Sequence, residues 1–187
     1  MDTFGIHIDD FNLEPEYFNH KSTLHGIDHT YRVMSHVIKI GSIINFPRET
    51  RFAFFGAFIH DMARKHDCKC SEHGKWSADE KLMKFVPLFK KNGMEENNIP
   101  ELYDAVAFHS IPEDLPKENP HYITLAILKD ADALDRIRIN RFDLKLKFLR
   151  FQESKELVHY AKNLFFDTRN AGYTTFREYF EYMCKGL

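Results

Sequence analysis

An all-α fold, a bundle of about seven or eight helices forming a single domain over residues 1–187, is what this sequence predicts. Three observations lead there. Apolar residues recur at helical spacing along nearly the whole chain, strand-like alternation is nowhere sustained, and 8 Gly with 7 Pro are too few for a loop-rich β-sandwich. An apolar fraction of 43%, with 18 Phe, is enough for one packed core in 187 residues.

The elements follow in order. In HGIDHTYRVMSHVIKIGSIIN, Val33, Val37, Ile40 and Ile44 form one stripe, and His29 extends it backwards by a turn. Residues 48–65 are apolar nearly all round, which predicts a central buried helix, and Pro47 suits a first helical turn. SEHGKWSADEKLMKF sets Ala78, Leu82, Phe85 and Phe89 on one face, with Pro87 expected to kink or divide the helix. Residues 95–110 align Ile99, Leu102, Val106 and His109. After the Pro-rich loop SIPEDLPKENP, HYITLAILKDADALDRI is helical again, and two or three amphipathic helices finish the chain. No repeat, low-complexity tract or linker divides it.

Charge and composition exclude several classes. A net charge of −2 gives no strong signal for a nucleic-acid or membrane partner. The run RIRINRFDLKLKFLR carries six Lys/Arg against one Asp and reads as a solvated helix face, with phosphate contact the alternative. No apolar run reaches membrane-spanning length, and the acidic start MDTFGIHIDDF lacks the basic and apolar regions of a signal peptide. Three cysteines, two of them in CKC rather than CxxC, predict free thiols in a reducing compartment; a cytoplasmic protein is expected.

Four histidines stand out by position. His29 and His109 continue apolar stripes, His60 follows the run FAFFGAF, and His73 opens a helix after a polar loop. Asp61 adjoins His60, and Asp130, Asp132 and Asp135 cluster in KDADALD. Inward-facing imidazoles and carboxylates from separate helices are costly unless something joins them, and a divalent cation does so with these ligand types. One such histidine alone would read as a hydrogen-bonded core residue. Periodicity does not select which of the four meet. His7, His20, His36, His66, His121 and His159 read as ordinary.

The order of His29 in HGIDHTYRV, His60–Asp61 in FIHDMARK and Asp132 in KDADALDR resembles the HD-domain metal-dependent phosphohydrolase superfamily, over residues 20–140. The ordered set carries the resemblance, with Arg32–Val33 following His29; an isolated His-Asp pair would carry none. The resemblance implies an all-α domain with residues 141–187 packing on it, and a first metal held by His29, His60, Asp61 and Asp132. It implies a second metal at His73 and His109, bridged by Asp61. Asp130, Asp135 and Arg32 would orient the ligands, with Asp130 a rival of Asp132 for the metal. One or two divalent ions are expected, with Mn, Mg, Fe, Zn, Co and Ni not distinguished.

The activity implied is hydrolysis of a phosphate ester or anhydride, a nucleotide by family precedent, through metal-activated water. Asp61 would serve the attacking water as well as the metal. Arg64, Lys75 and His25 would contact the phosphate, with His25 or His73 as proton donor. Two alternatives stand beside this: a di-iron oxygenase of HD type, and a non-catalytic helical module whose metal serves the fold. A homodimer through an apolar C-terminal face is the remaining partner expectation.

Overall fold

A computed structural model describes residues 3–140 and 142–185. Among them every regular element is helical. Helix α1 spans Ile27–Ile44, α2 Pro47–Ile59, α3 His73–Lys91, α4 Ile99–Phe108 and α5 Tyr122–Leu134. Three C-terminal helices follow: the short α6 (Gln152–Glu156), α7 (Val158–Thr168) and α8 (Phe176–Lys185). Helices α1, α2, α4 and α5 pack on one another as the centre, with α3 against α4 and α8 against α1. No helix is long and apolar enough to cross a membrane among the described residues.

The stripes read from the sequence face inward. Val33, Val37 and Ile40 of α1, Ala78, Leu82 and Phe89 of α3, and Leu102 and Val106 of α4 are all buried. The apolar α2 is surrounded, and its Phe54, Phe55 and Phe58 meet Phe11 of the N-terminal segment at ring-centroid distances of 5.0, 5.8 and 5.3 Å. Helices α1 and α2 approach so closely that a Cβ on Gly41 would lie 2.2 Å from Thr50 Cγ2. Only glycine permits that crossing.

Three local expectations are corrected. Helix α2 ends at Ile59 rather than running to residue 65, because the His60 ring takes over a carbonyl of the last turn: His60 Nδ1 donates to Ala57 O at 2.7 Å. Helix α3 runs unbroken through Pro87. The carbonyl that Pro87 leaves without a partner belongs to Met83, an exposed residue. The basic run is not a helix face. After a 3-10 turn at Asp135–Arg138 the described residues of the run form no α-helix and make one more 3-10 turn at Leu146–Phe148; Arg141 lies outside the described residues. Arg138 and Arg150 turn inward onto Leu24 O and the Asp114 and Asp130 carboxylates, and these anchors hold an irregular strap in place of an α-helix.

His36, ordinary in the sequence, is fully buried on α1, with neither ring nitrogen hydrogen-bonded among the described residues. Its ring meets Tyr160 edge-on at 5.8 Å. Burial pushes its pKa down to about 4, aided by Arg32 and His29 and opposed by Asp135. A histidine lowered in the folded state favours the native fold only while neutral, so its contribution is intact above about pH 6.5 and is lost as pH falls toward about 4. His36→Leu is therefore expected to stabilise the protein, and more so in acid. Urea denaturation should give an extra advantage over wild type on the order of 2 kcal/mol at about pH 5 relative to neutral pH. An advantage independent of pH would refute the assignment.

Candidate metal centre

One end of the bundle gathers the ionisable groups. His29 lies in the first turn of α1, His60 and Asp61 follow α2, His73 opens α3, His109 follows α4 and Asp132 lies in the last turn of α5. The C-termini of α2, α4 and α5 and the N-termini of α1 and α3 therefore meet at one place, so their partial charges largely offset and the side chains decide what binds there. The meeting of α3 and α4 depends on Gly74. A Cβ at that position would sit 2.6 Å from Val106 O and 2.8 Å from both His109 Nδ1 and Ser110 Oγ.

Each of the four imidazoles is oriented through Nδ1. His29 Nδ1 donates to Asp135 Oδ2 at 2.7 Å, His60 to Ala57 O at 2.7 Å, His73 to Cys70 O at 2.8 Å and His109 to Val106 O at 2.7 Å. That leaves every Nε2 as an acceptor aimed into the same space. His29 and His60 bring their Nε2 atoms within 3.2 Å, and His73 and His109 within 3.1 Å. Lone pairs that close repel unless a proton or a cation lies between them.

Asp61 stands between the two pairs. Its Oδ2 lies 3.5 Å from His29 Nε2, 3.8 Å from His60 Nε2 and 2.9 Å from His25 Nδ1. Its Oδ1 lies 3.2 Å from His73 Nε2, 3.9 Å from His109 Nε2 and 3.4 Å from Arg64 Nη1. Asp132 Oδ1 is 3.4 Å from His29 Nε2 and is the accessible member, its side chain 26% exposed. Three overlapping groups, His25–His29–Asp61, His29–His60–Asp132 and His60–Asp61–His109, have the proximity to hold a metal ion. The spacing fits one. Donors about 2.1 Å from a shared cation stand roughly 3.0–3.4 Å apart in octahedral or tetrahedral arrangement.

The charge states suit the same use. Burial pushes His29 down, His73 to about 4 and His109 to about 3, which keeps these rings neutral and their lone pairs available. Burial would raise Asp61, but His60, His25, His29 and His73 outweigh it and hold the carboxyl well below its usual range. Asp132 is likewise held low against burial by Arg138 and His29. Asp135 is held low by Arg32, whose Nε donates to it at 2.7 Å, and it braces His29 from behind.

The remaining site expectations divide. His25 and Arg64 lie against Asp61. Lys75 does not join them: it is exposed and pairs with Asp79 at 2.6 Å. Asp130 is no rival of Asp132 and orients no ligand, because it faces away and accepts from the backbone N–H groups of Arg150 and Phe151 at 2.8–3.0 Å. Positions 130 and 132 are about 200° apart around an α-helix, so the two carboxylates cannot share a face.

Arg138, absent from the sequence reading, belongs at the mouth. Its Nη1 lies 3.9 Å from Asp132 Oδ1 and 3.8 Å from Asp135 Oδ2, and its Nη2 lies 3.2 Å from His25 Nδ1. The signal was the spacing 132–135–138, which aligns once the last turn of α5 tightens into the 3-10 turn Asp135–Arg138. No family model matches the chain, nor does any curated protein or solved structure.

Proposed function

We propose that this chain is a metal-dependent phosphohydrolase of HD type, acting on a phosphate ester or anhydride of a nucleotide. One observation carries the reading: four Nε2 acceptors converge in two pairs on a carboxylate whose oxygens divide between them, one pair to each oxygen. His29, His60, Asp61 and Asp132 would hold one divalent ion, and His73 and His109 with Asp61 a second. Such ions supply nucleophilic water at neutral pH and neutralise phosphoryl charge.

The chain's own residues take the other roles. Asp61 orients the attacking water, whose proton leaves to solvent. The water oxygen forms the new P–O bond in line with the bond to the leaving oxygen, which departs with a proton from His25. Arg64, beside Asp61, and Arg138, beside Asp132, hold the non-bridging oxygens. Arg64 Nε is buried without a hydrogen-bond partner among the described residues.

Elemental analysis of protein purified without added metal or chelator is expected to give one to two equivalents of a divalent transition metal. Turnover of a panel of nucleotides and simple phosphate esters is then expected to be lost on chelation and restored by metal. Two irons per chain with consumption of O₂ would transfer the site to oxygenase chemistry. Bound metal that raises the melting temperature while no substrate turns over would make it a structural site. A chain that neither retains nor responds to any divalent ion would refute the reading.

A further inference from the structure

We propose that the strap after α5 is a docking surface for an anionic lipid bilayer. Four of the eight exposed large apolar side chains among the described residues fall within positions 139–148: Ile139 at 39%, Phe142 at 70%, Leu146 at 52% and Phe148 at 49% exposure. Single exposed apolar residues need no explanation, but four on one short segment do. The strap is held at both ends. Arg138 donates to Leu24 O at 2.8 Å, and Arg150 pairs with Asp114 at 2.7 Å, while Leu149 is buried beside it. Between these ends Ile139, Phe142, Leu146 and Phe148 are exposed, while Leu144 packs against the core.

Cations are interleaved with the apolar groups. Lys145 and Lys147 are exposed and pair with no carboxylate among the described residues, and Lys147 lies over the Phe148 ring at 5.2 Å. Arg136 is half-exposed and pairs with Asp143 of the strap at 4.0 Å, which leaves the two lysines as the unpaired cations among its described residues. Apolar side chains that enter the acyl boundary, set among lysines drawn to acidic headgroups, match an anionic membrane surface. A second copy of the chain fits less well, since a two-fold contact over this short segment would bring both lysine pairs into one small interface with no carboxylate placed to meet them. Nucleic acid would use the aromatic rings, but Ile139 and Leu146 give it no stacking face.

The proposal rests on the strap alone and stands apart from the proposed activity. Arg138 nevertheless joins the strap to the candidate centre, so a docked protein would present its mouth beside the bilayer.

Vesicle co-sedimentation of the full chain tests it, using phosphatidylserine–phosphatidylcholine vesicles against phosphatidylcholine alone. The anionic vesicles are expected to bind the protein, with affinity falling roughly tenfold or more at high salt. Lys145→Glu/Lys147→Glu and Phe142→Ser/Leu146→Ser/Phe148→Ser should each release it while keeping the wild-type melting temperature. Salt dependence of the wild type is read without any variant, so a variant that melts early leaves a test in hand. Absent or salt-independent partition overturns the proposal. So does a dimer dissolved by the Phe/Leu variant, or oligonucleotide binding without vesicle binding; each would reassign the surface to that partner.

Discussion

Asp61→Asn is expected to abolish turnover, by roughly a thousandfold or more, and to remove the response to divalent metal while leaving the metal-free fold intact. The substitution keeps the shape of the side chain and removes one carboxylate oxygen, whichever way the amide turns. With the nitrogen toward His73 and His109, one pair of Nε2 atoms faces a donor; with it toward His29 and His60, the other pair does. Either way one half of the centre can no longer hold a cation. The metal-free protein keeps most of its stability because the amide N–H can donate to an Nε2 lone pair, at 3.2 Å on the His73 side or 3.5 Å on the His29 side, which offsets its meeting the Arg64 or His25 donor on the same atom. Melting curves with and without metal separate the outcomes. At a hundredfold excess over its dissociation constant, a bound ion adds about 2.7 kcal/mol, and that increment should be present in wild type and missing in the variant. A variant that keeps the increment would place the ion elsewhere. One that loses most of its metal-free stability would make Asp61 a structural group first.

How much of this site the sequence makes legible follows from helical geometry. Stripes on α1 and α4 direct His29 and His109 inward, because one periodicity governs the apolar residues and the histidine that continues them. The positions of His60 and His73 at helix ends are equally local. What periodicity cannot supply is which ends meet, since that depends on how α2 and α3 pack around α4. The Gly74 contact with Val106 O sets part of that geometry, and no pattern within either helix specifies it. The acidic cluster shows the same division. The rotation between residues 130 and 132 already separates their carboxylates, but the partner of Asp130 lies twenty residues on, at Arg150 N. Arg138 escaped because the sequence reads as a continuing α-helix where the chain tightens to a 3-10 turn. The basic run then misleads, because two of its arginines are consumed by internal carbonyl and carboxylate partners and its apolar residues face out.

The second large effect is on stability and arises behind the centre. Arg32 and Asp135 are both buried, joined by Nε to Oδ1 at 2.7 Å and Nη2 to Oδ2 at 3.2 Å, with the guanidinium stacked over Phe165 at 5.1 Å. Removing one member of such a pair strands the other charge in a poorly solvating interior, at a cost of about 3–5 kcal/mol. Arg32→Met is thus expected to lower the melting temperature by roughly 10 °C. The loss should exceed what the missing contacts explain, because Arg138, at 3.8 Å, neutralises the stranded carboxylate only in part. Arg32→Met/Asp135→Asn should recover most of the stability. The amide oxygen still accepts the His29 Nδ1 hydrogen bond, and both charges of the Arg32–Asp135 pair are gone together. Metal affinity should recover less than stability, since an amide is a weaker acceptor than a carboxylate and leaves His29 less basic toward a cation. Denaturant unfolding of the two single variants and the double gives the coupling energy directly. Losses that simply add would show the pair to be two independent contacts, and His29 would then owe its orientation to packing instead of to this charge.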